Sequence, residues 1–172
     1  MNKIFLILST VALKFATQTT TAQDNSMDIV EVAVSVDDFS TLVSALQAAE
    51  LVTALQGDGP FTVFAPVNAG FAKIDSNTLN SLLAPENQEQ LSAILTYHVV
   101  AGKIDAAAVA AALEAGNGTA ELITLNGATL TAVAKDGGIF LMDQNGNYSM
   151  IVKTDVMASN GVIHVIEDVV MP

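Results

Sequence analysis

The sequence predicts an α+β domain in which helices come first and an antiparallel sheet follows. Apolar residues recur at helical spacing through the first half of the chain and give way to short β-type runs in the second. Asn-Gly and Asp-Gly pairs, which tolerate the positive φ of tight hairpin turns, separate those later runs. With 51% hydrophobic and 14% charged residues, the chain packs a core and is no disordered acidic tail.

Each element has its own signal. Phe39, Leu42, Val43 and Leu46 fall at i, i+3, i+4 and i+7 behind Asp37 and Asp38, either of which can cap the helix. Leu51, Val52 and Leu55 form a short apolar segment that stops at Gly57. Phe61 to Ala65, aromatic and β-branched and closed by Pro66, predicts a buried strand. Leu79, Leu82 and Leu83 suggest a helical turn. Asn87 and Gln90 have the spacing of a capping box ahead of Leu91, Ile94 and Leu95. Asp105 can cap the Ala-rich run from Ala106 to Leu113. The runs Leu122 to Leu125, Ala128 to Ala134, Ile139 to Met142, Tyr148 to Val152 and Val162 to Ile166 then make a meander of hairpins, which argues against a parallel βαβ sheet.

Residues 1–22 are expected to be a secretory signal: Lys3, an apolar run from Ile4 to Leu13, and small residues up to Ala22. The run is too short to span a bilayer, which needs about 20 helical residues. A single domain is expected over residues 25–172, secreted or periplasmic, with no membrane insertion; its oligomeric state is left open, a monomer being favoured. Removing the signal removes two lysines and no acid, so the mature chain is more acidic than the whole.

Composition narrows the chemistry. The net charge is -12, which repels phosphate backbones and argues against a nucleic-acid partner. No Cys is present, so disulfides, thiol nucleophiles and thiolate metal sites are excluded. Only His98 and His164 remain for metal or general-base work, no catalytic motif accompanies them, and no cofactor is expected. Asp143, Asn145 and Asn147 begin like a calcium loop, but Tyr148 stands where the sharp turn needs Gly and Thr154 where the bidentate Glu belongs. A hairpin tip is the expectation there.

Two segments are more specific. Gly57-Asp-Gly-Pro-Phe-Thr-Val-Phe-Ala-Pro-Val-Asn-Ala-Gly-Phe71 resembles the first signature of the fasciclin domain family, and the stretch from Asp155 to Pro172 resembles its second. Ile94 to Gly102, with Tyr97 and His98, resembles the central Tyr-His segment of that family. The resemblance implies helices packed on an antiparallel β wedge or sandwich formed largely by the C-terminal half. It also implies a non-enzymatic adhesion module whose partner is a cell-surface or matrix protein or glycan. A soluble small-ligand or polysaccharide binder is the alternative. Three residues depart from the first signature: Val67 where Thr is usual, Ala69 where an acid is usual, and Gly70 where Ala is usual.

The resemblance also implies partner-binding residues. Asp155 and Val156 match an Asp-Ile pair implicated in receptor binding by animal members, and Tyr97 and His98 match the Tyr-His segment likewise implicated. Elementary chemistry favours plainer roles. Asp155 stands beside a turn, where a short carboxylate accepts from backbone N–H groups. Tyr97 and His98 follow a helical stripe and precede Val99 and Val100, as a core Tyr and a satisfied His do. His164 alternates with Ile163 and Val165, which on a one-sided sheet makes it a packed or a hydrogen-bonded side chain.

Overall fold

A computed structural model describes residues 26–172; the expected signal, residues 1–22, lies outside them. The first helix among the described residues is one that apolar spacing did not predict. α1, Ile29–Val34, starts at a reciprocal capping box in which the Asp28 carboxylate accepts from Glu31 N–H at 2.8 Å and the Glu31 carboxylate accepts from Asp28 N–H at 2.9 Å. A 3₁₀ turn, Asp37–Phe39, leads into α2, Ser40–Ala48. Here the sequence expectation needs correction: Asp37 and Asp38 lie inside the turn, and α2 has no side-chain cap of its own. Its second residue, Thr41, instead donates its N–H to Asn68 Oδ1 at 3.0 Å, from 27 residues away.

α3, Val52–Leu55, precedes β1, Phe61–Pro66, which is followed by α4, Asn68–Ala72, and α5, Ser76–Leu82. The proposed capping box at Asn87 does not form. Asn87 ends a second 3₁₀ turn and donates Nδ2 to the Ser81 carbonyl at 2.7 Å, closing α5 rather than opening α6, Gln88–Tyr97. β2, Val99–Ala101, follows α6, and α7, Ala106–Ala115, begins where Asp105 accepts from Ala108 N–H at 2.9 Å, as expected.

Five strands complete the chain: β3, Thr119–Ile123; β4, Thr129–Lys135; β5, Gly138–Met142; β6, Tyr148–Ala158; and β7, Gly161–Ile166. β3 to β7 form the antiparallel meander the turn residues predicted. β6 runs six residues further than its apolar run indicated, and its register slips on either side of Lys153. The seven-stranded order is β2-β1-β7-β6-β5-β4-β3, and β1 and β7 are parallel, from Phe61 opposite Gly161 to Pro66 opposite Ile166. Hairpin signals report local pairing only, so this contact between distant segments was invisible to them. Gly161 makes it possible, because a Cβ there would lie 1.9 Å from the Phe61 carbonyl oxygen.

The sheet curls until its ends meet. Val100 on β2 bridges to Thr124 just beyond β3, and Leu125 N–H donates to the Val99 carbonyl at 2.8 Å. Inside the curl, Phe64, Leu130, Leu141, Ile151 and Ile166 pack with Tyr97 and with Val109 and Leu113 of α7. Outside it, α1 to α6 cover β2, β1 and β7, with Phe39, Leu42, Leu46, Leu91 and Leu95 against Val63, Ala65, Ile163 and Val165. Each fully buried aliphatic or aromatic side chain contributes about 1.5–3 kcal/mol. β7, packed on both faces, is buried at all six positions, so the one-sided sheet expected around His164 is not what forms.

Candidate functional site

The three sequence blocks become three neighbouring strands. β1 carries the first signature, β7 the second and β2 the Tyr-His segment, side by side in the order β2-β1-β7. Two asparagines within the signatures, flanking β1 and β7, tie the helices to these strands. Asn68 accepts from Thr41 N–H and donates to the Asp37 carbonyl and to Ser40 Oγ, each at 3.0 Å. Asn160 accepts from Ile29 N–H at 3.0 Å and donates to the carbonyls of Leu55 at 2.6 Å and Gly57 at 3.1 Å. Both side chains therefore accept from backbone N–H groups in the first turn of a helix, Thr41 of α2 and Ile29 of α1.

Tyr97 is 0% exposed, its ring sits in the inner core, and its hydroxyl donates to the Thr129 carbonyl at 3.1 Å. Burial pushes the phenol above its ordinary range, and the negative charge of Asp143 adds to the effect. His98 is 2% exposed. Its Nδ1–H donates to the Ile94 carbonyl at 2.8 Å, which leaves Nε2 to accept from Val170 N–H at 3.2 Å. Desolvation lowers the imidazole from 6.5 to about 4, so the ring is neutral near pH 7.

Asp155 lies within the second register slip of β6, between Lys153 and Val156, at φ 57, a left-handed conformation that Asp adopts more readily than most residues. Its Oδ1 accepts at 2.8 Å from Ala106 N–H, at the start of α7, and its own N–H is held at 3.4 Å by His164 Nδ1. The carboxylate does bond to backbone N–H, as elementary chemistry favoured, but to a helix 49 residues away rather than to its own turn. His164 uses its other nitrogen, Nε2, to donate to the Ile104 carbonyl at 2.7 Å, and its ring stacks on Phe64 with centroids 5.5 Å apart. Val156 is half-buried and lines a cleft of about 280 Å³ together with Phe39, Val67, Val152 and Val165.

These four residues do not make one surface. Tyr97 and His98 lie inside, and only Asp155 is exposed. What joins them is Phe64, whose N–H donates to the His98 carbonyl at 2.8 Å while its ring stacks on His164. The hairpin tip expected after Met142 is present: Asp143 Oδ1 accepts from the N–H groups of Asn145 and Asn147, both at 2.9 Å, and Oδ2 accepts from Met171 N–H at 3.3 Å.

The signature departures have local meaning. Val67 occupies the N-cap of α4 and offers no side-chain bond there. Ala69 is exposed. Gly70 lets α4 approach the segment after β7, since a Cβ would stand 2.6 Å from the Glu167 carbonyl oxygen. Beside it, Lys73 forms an ion pair with Asp168. Sequence reasoning also missed the apolar outer face of β6, although Tyr148, Met150, Ile151 and Val152 already break the apolar-polar alternation of a one-sided strand.

Residues 37–172 match the family profile described as Fasciclin domain. The chain is 48% identical to protein sll1483 of Synechocystis sp., over 92% of this chain and 81% of that protein. It is 37% identical to the transforming growth factor-beta-induced protein ig-h3 of Sus scrofa, over 88% of this chain but only 20% of that longer protein. Among solved structures, a FAS1 domain pair from the insect cell adhesion molecule fasciclin I superposes with a TM-score of 0.74 at 16% identity, over 85% of this chain and 51% of the pair. With three contiguous signature strands and a family match over most of its length, the chain belongs to the fasciclin domain family.

Proposed function

We propose that this chain is an exported, non-enzymatic adhesion module that binds a cell-surface or matrix protein or glycan. One observation carries the reading. The groups the sequence offered for chemistry, Tyr97, His98, Asp143, Asp155 and His164, each hold main-chain groups through hydrogen bonds. A molecule that spends these groups on its own backbone acts through its surface. The solved fold neighbour comes from a cell adhesion molecule, which supports the same direction. Among the described residues no helix is long and apolar enough to cross a membrane, and the signal-like residues 1–22 support export.

The test is binding of the immobilised protein to cell-surface protein and polysaccharide fractions. Saturable binding to one fraction, lost on heat unfolding, is expected; equal retention of the native and unfolded protein would refute the reading. N-terminal sequencing of the exported product checks the signal and is expected to begin just after Ala22.

A further inference from the structure

The helix layer stops at β6. On the outer side of the sheet it covers β2, β1 and β7, while α7 packs against β3 and β4 from the inside. Among the described residues no element covers the outer face of β4, β5 and β6, and that face is apolar. The strand register sets Phe140 between Val133 and Met150, and Met142 between Thr131 and Tyr148. Tyr148, Met150 and Val152 are 44%, 39% and 52% exposed. The Phe140 and Tyr148 rings meet edge to face at 6.4 Å, and Lys135 Nζ stands 4.8 Å over the Tyr148 ring. At the slipped register of β6 this face runs into the cleft of about 280 Å³ that Val152 and Val156 share with Phe39 and Val67, its lining also including Asp38 and Lys153.

We propose that this face is a docking surface for a protein partner whose contacting strip is aliphatic and bears carboxylates, one apolar side chain of the partner entering the cleft. The proposal rests on the adhesion reading and names its surface. Isolated exposed apolar residues are ordinary, whereas a continuous field of them marks an interface. The bridge from β2 to Thr124 lies at the edges of the sheet, away from this face, where a partner meets side chains.

Charge selects the partner. In a chain of net charge -12, the charged side chains of β4 to β6 on this face are Lys135 and Lys153, with Asp38 also lining the cleft, while Lys73 is engaged by acids elsewhere. A second copy meeting face to face would bring the same two lysines and no carboxylate from β4 to β6 on that face, with a large negative charge on each molecule. A glycan needs an array of hydrogen-bonding groups that Phe140, Met142, Met150 and Val152 do not provide. An aliphatic segment with carboxylates satisfies both the apolar field and the two ammonium groups.

The test is selection of a random-peptide phage library on the immobilised full chain, followed by affinity measurement with synthesised winners. Expected are aliphatic sequences containing Asp or Glu whose affinity falls about tenfold or more, about 1.4 kcal/mol, on Met150→Lys and on Lys135→Glu with Lys153→Glu. Both variants change exposed positions and should keep the wild-type melting temperature; Val152→Ser replaces Met150→Lys if that variant unfolds. The proposal is overturned by peptides that bind the variants equally, by a basic consensus, by the absence of any enriched sequence, or by a wild-type dimer that Met150→Lys dissociates. Variants that lose the peptide yet still bind the cell-surface fraction would remove this face as the adhesive surface and leave the adhesion reading standing.

Discussion

Acidification should destabilise this protein through His98. The ring is buried, and both nitrogens are engaged with backbone, Nδ1 as donor to Ile94 and Nε2 as acceptor from Val170 N–H. Protonation would set an Nε2–H against that N–H, so the folded state resists it while the unfolded chain does not. The folded value is about 4 against an ordinary 6.5. Stability is therefore complete above pH 6.5 and declines as pH falls towards 4, because in that window the unfolded state binds a proton the folded state refuses. At 1.36 kcal/mol per pH unit the full effect is about 3 kcal/mol, a substantial part of the stability of a domain this size.

The assay is urea unfolding followed by circular dichroism from pH 7.5 to 3.5, on the wild type and on His98→Gln. The variant loses stability near neutrality but retains the same carboxylates, so these cancel when the two profiles are subtracted. The difference should shrink by about 3 kcal/mol as pH falls from 6.5 to 4 and then level off. A flat difference, or one that grows in acid, would refute the reasoning. If His98→Gln does not fold, the imidazole resonance of the wild type serves instead, and its titration near 6.5 would be equally fatal.

Further predictions concern the ties between helices and strands. Val67→Thr should place an accepting Oγ at the uncapped start of α4 and raise stability by about 1 kcal/mol, seen as a higher melting temperature. Asn68→Ala removes three hydrogen bonds at the start of α2 and should cost about 2–3 kcal/mol in chemical unfolding, with Asn68→Asp intermediate because it keeps only the acceptor. Asp155→Ala loses the bond to Ala106 while keeping φ at 57, and should cost about 1–2 kcal/mol; Asp155→Gly should cost less, an order that a purely partner-binding role would not produce. Tyr97→Phe should cost about 1 kcal/mol by leaving the Thr129 carbonyl without its donor.

Local chemistry made part of this structure legible. Asp105 before an Ala-rich run caps α7, and the Asn-Gly and Asp-Gly pairs between short apolar runs generate the meander, because both depend on residues within a few positions of one another. The same logic failed where a partner came from far away. Asp37 and Asp38 had the right position to cap α2, yet the bond comes from Asn68, and Asn87 had the spacing of a capping box but closes the preceding helix. Asp28 and Glu31, a capping box in full view, were passed over because the short α1 has too few turns to show an apolar period.

For the candidate residues the division is sharper. The sequence by itself determined the α+β class, the order of helices before hairpins, the fasciclin signatures and the poverty of catalytic groups, since all of these follow from composition and short-range pattern. Only the tertiary structure decided that Tyr97 and His98 face inward, that Asp155 reaches across 49 residues to α7, and that β1 and β7 lie parallel. It also decided which side of β6 the helices leave uncovered. A strand with apolar residues on both faces states that two surfaces want burial, but which of them the chain covers depends on where distant helices come to rest.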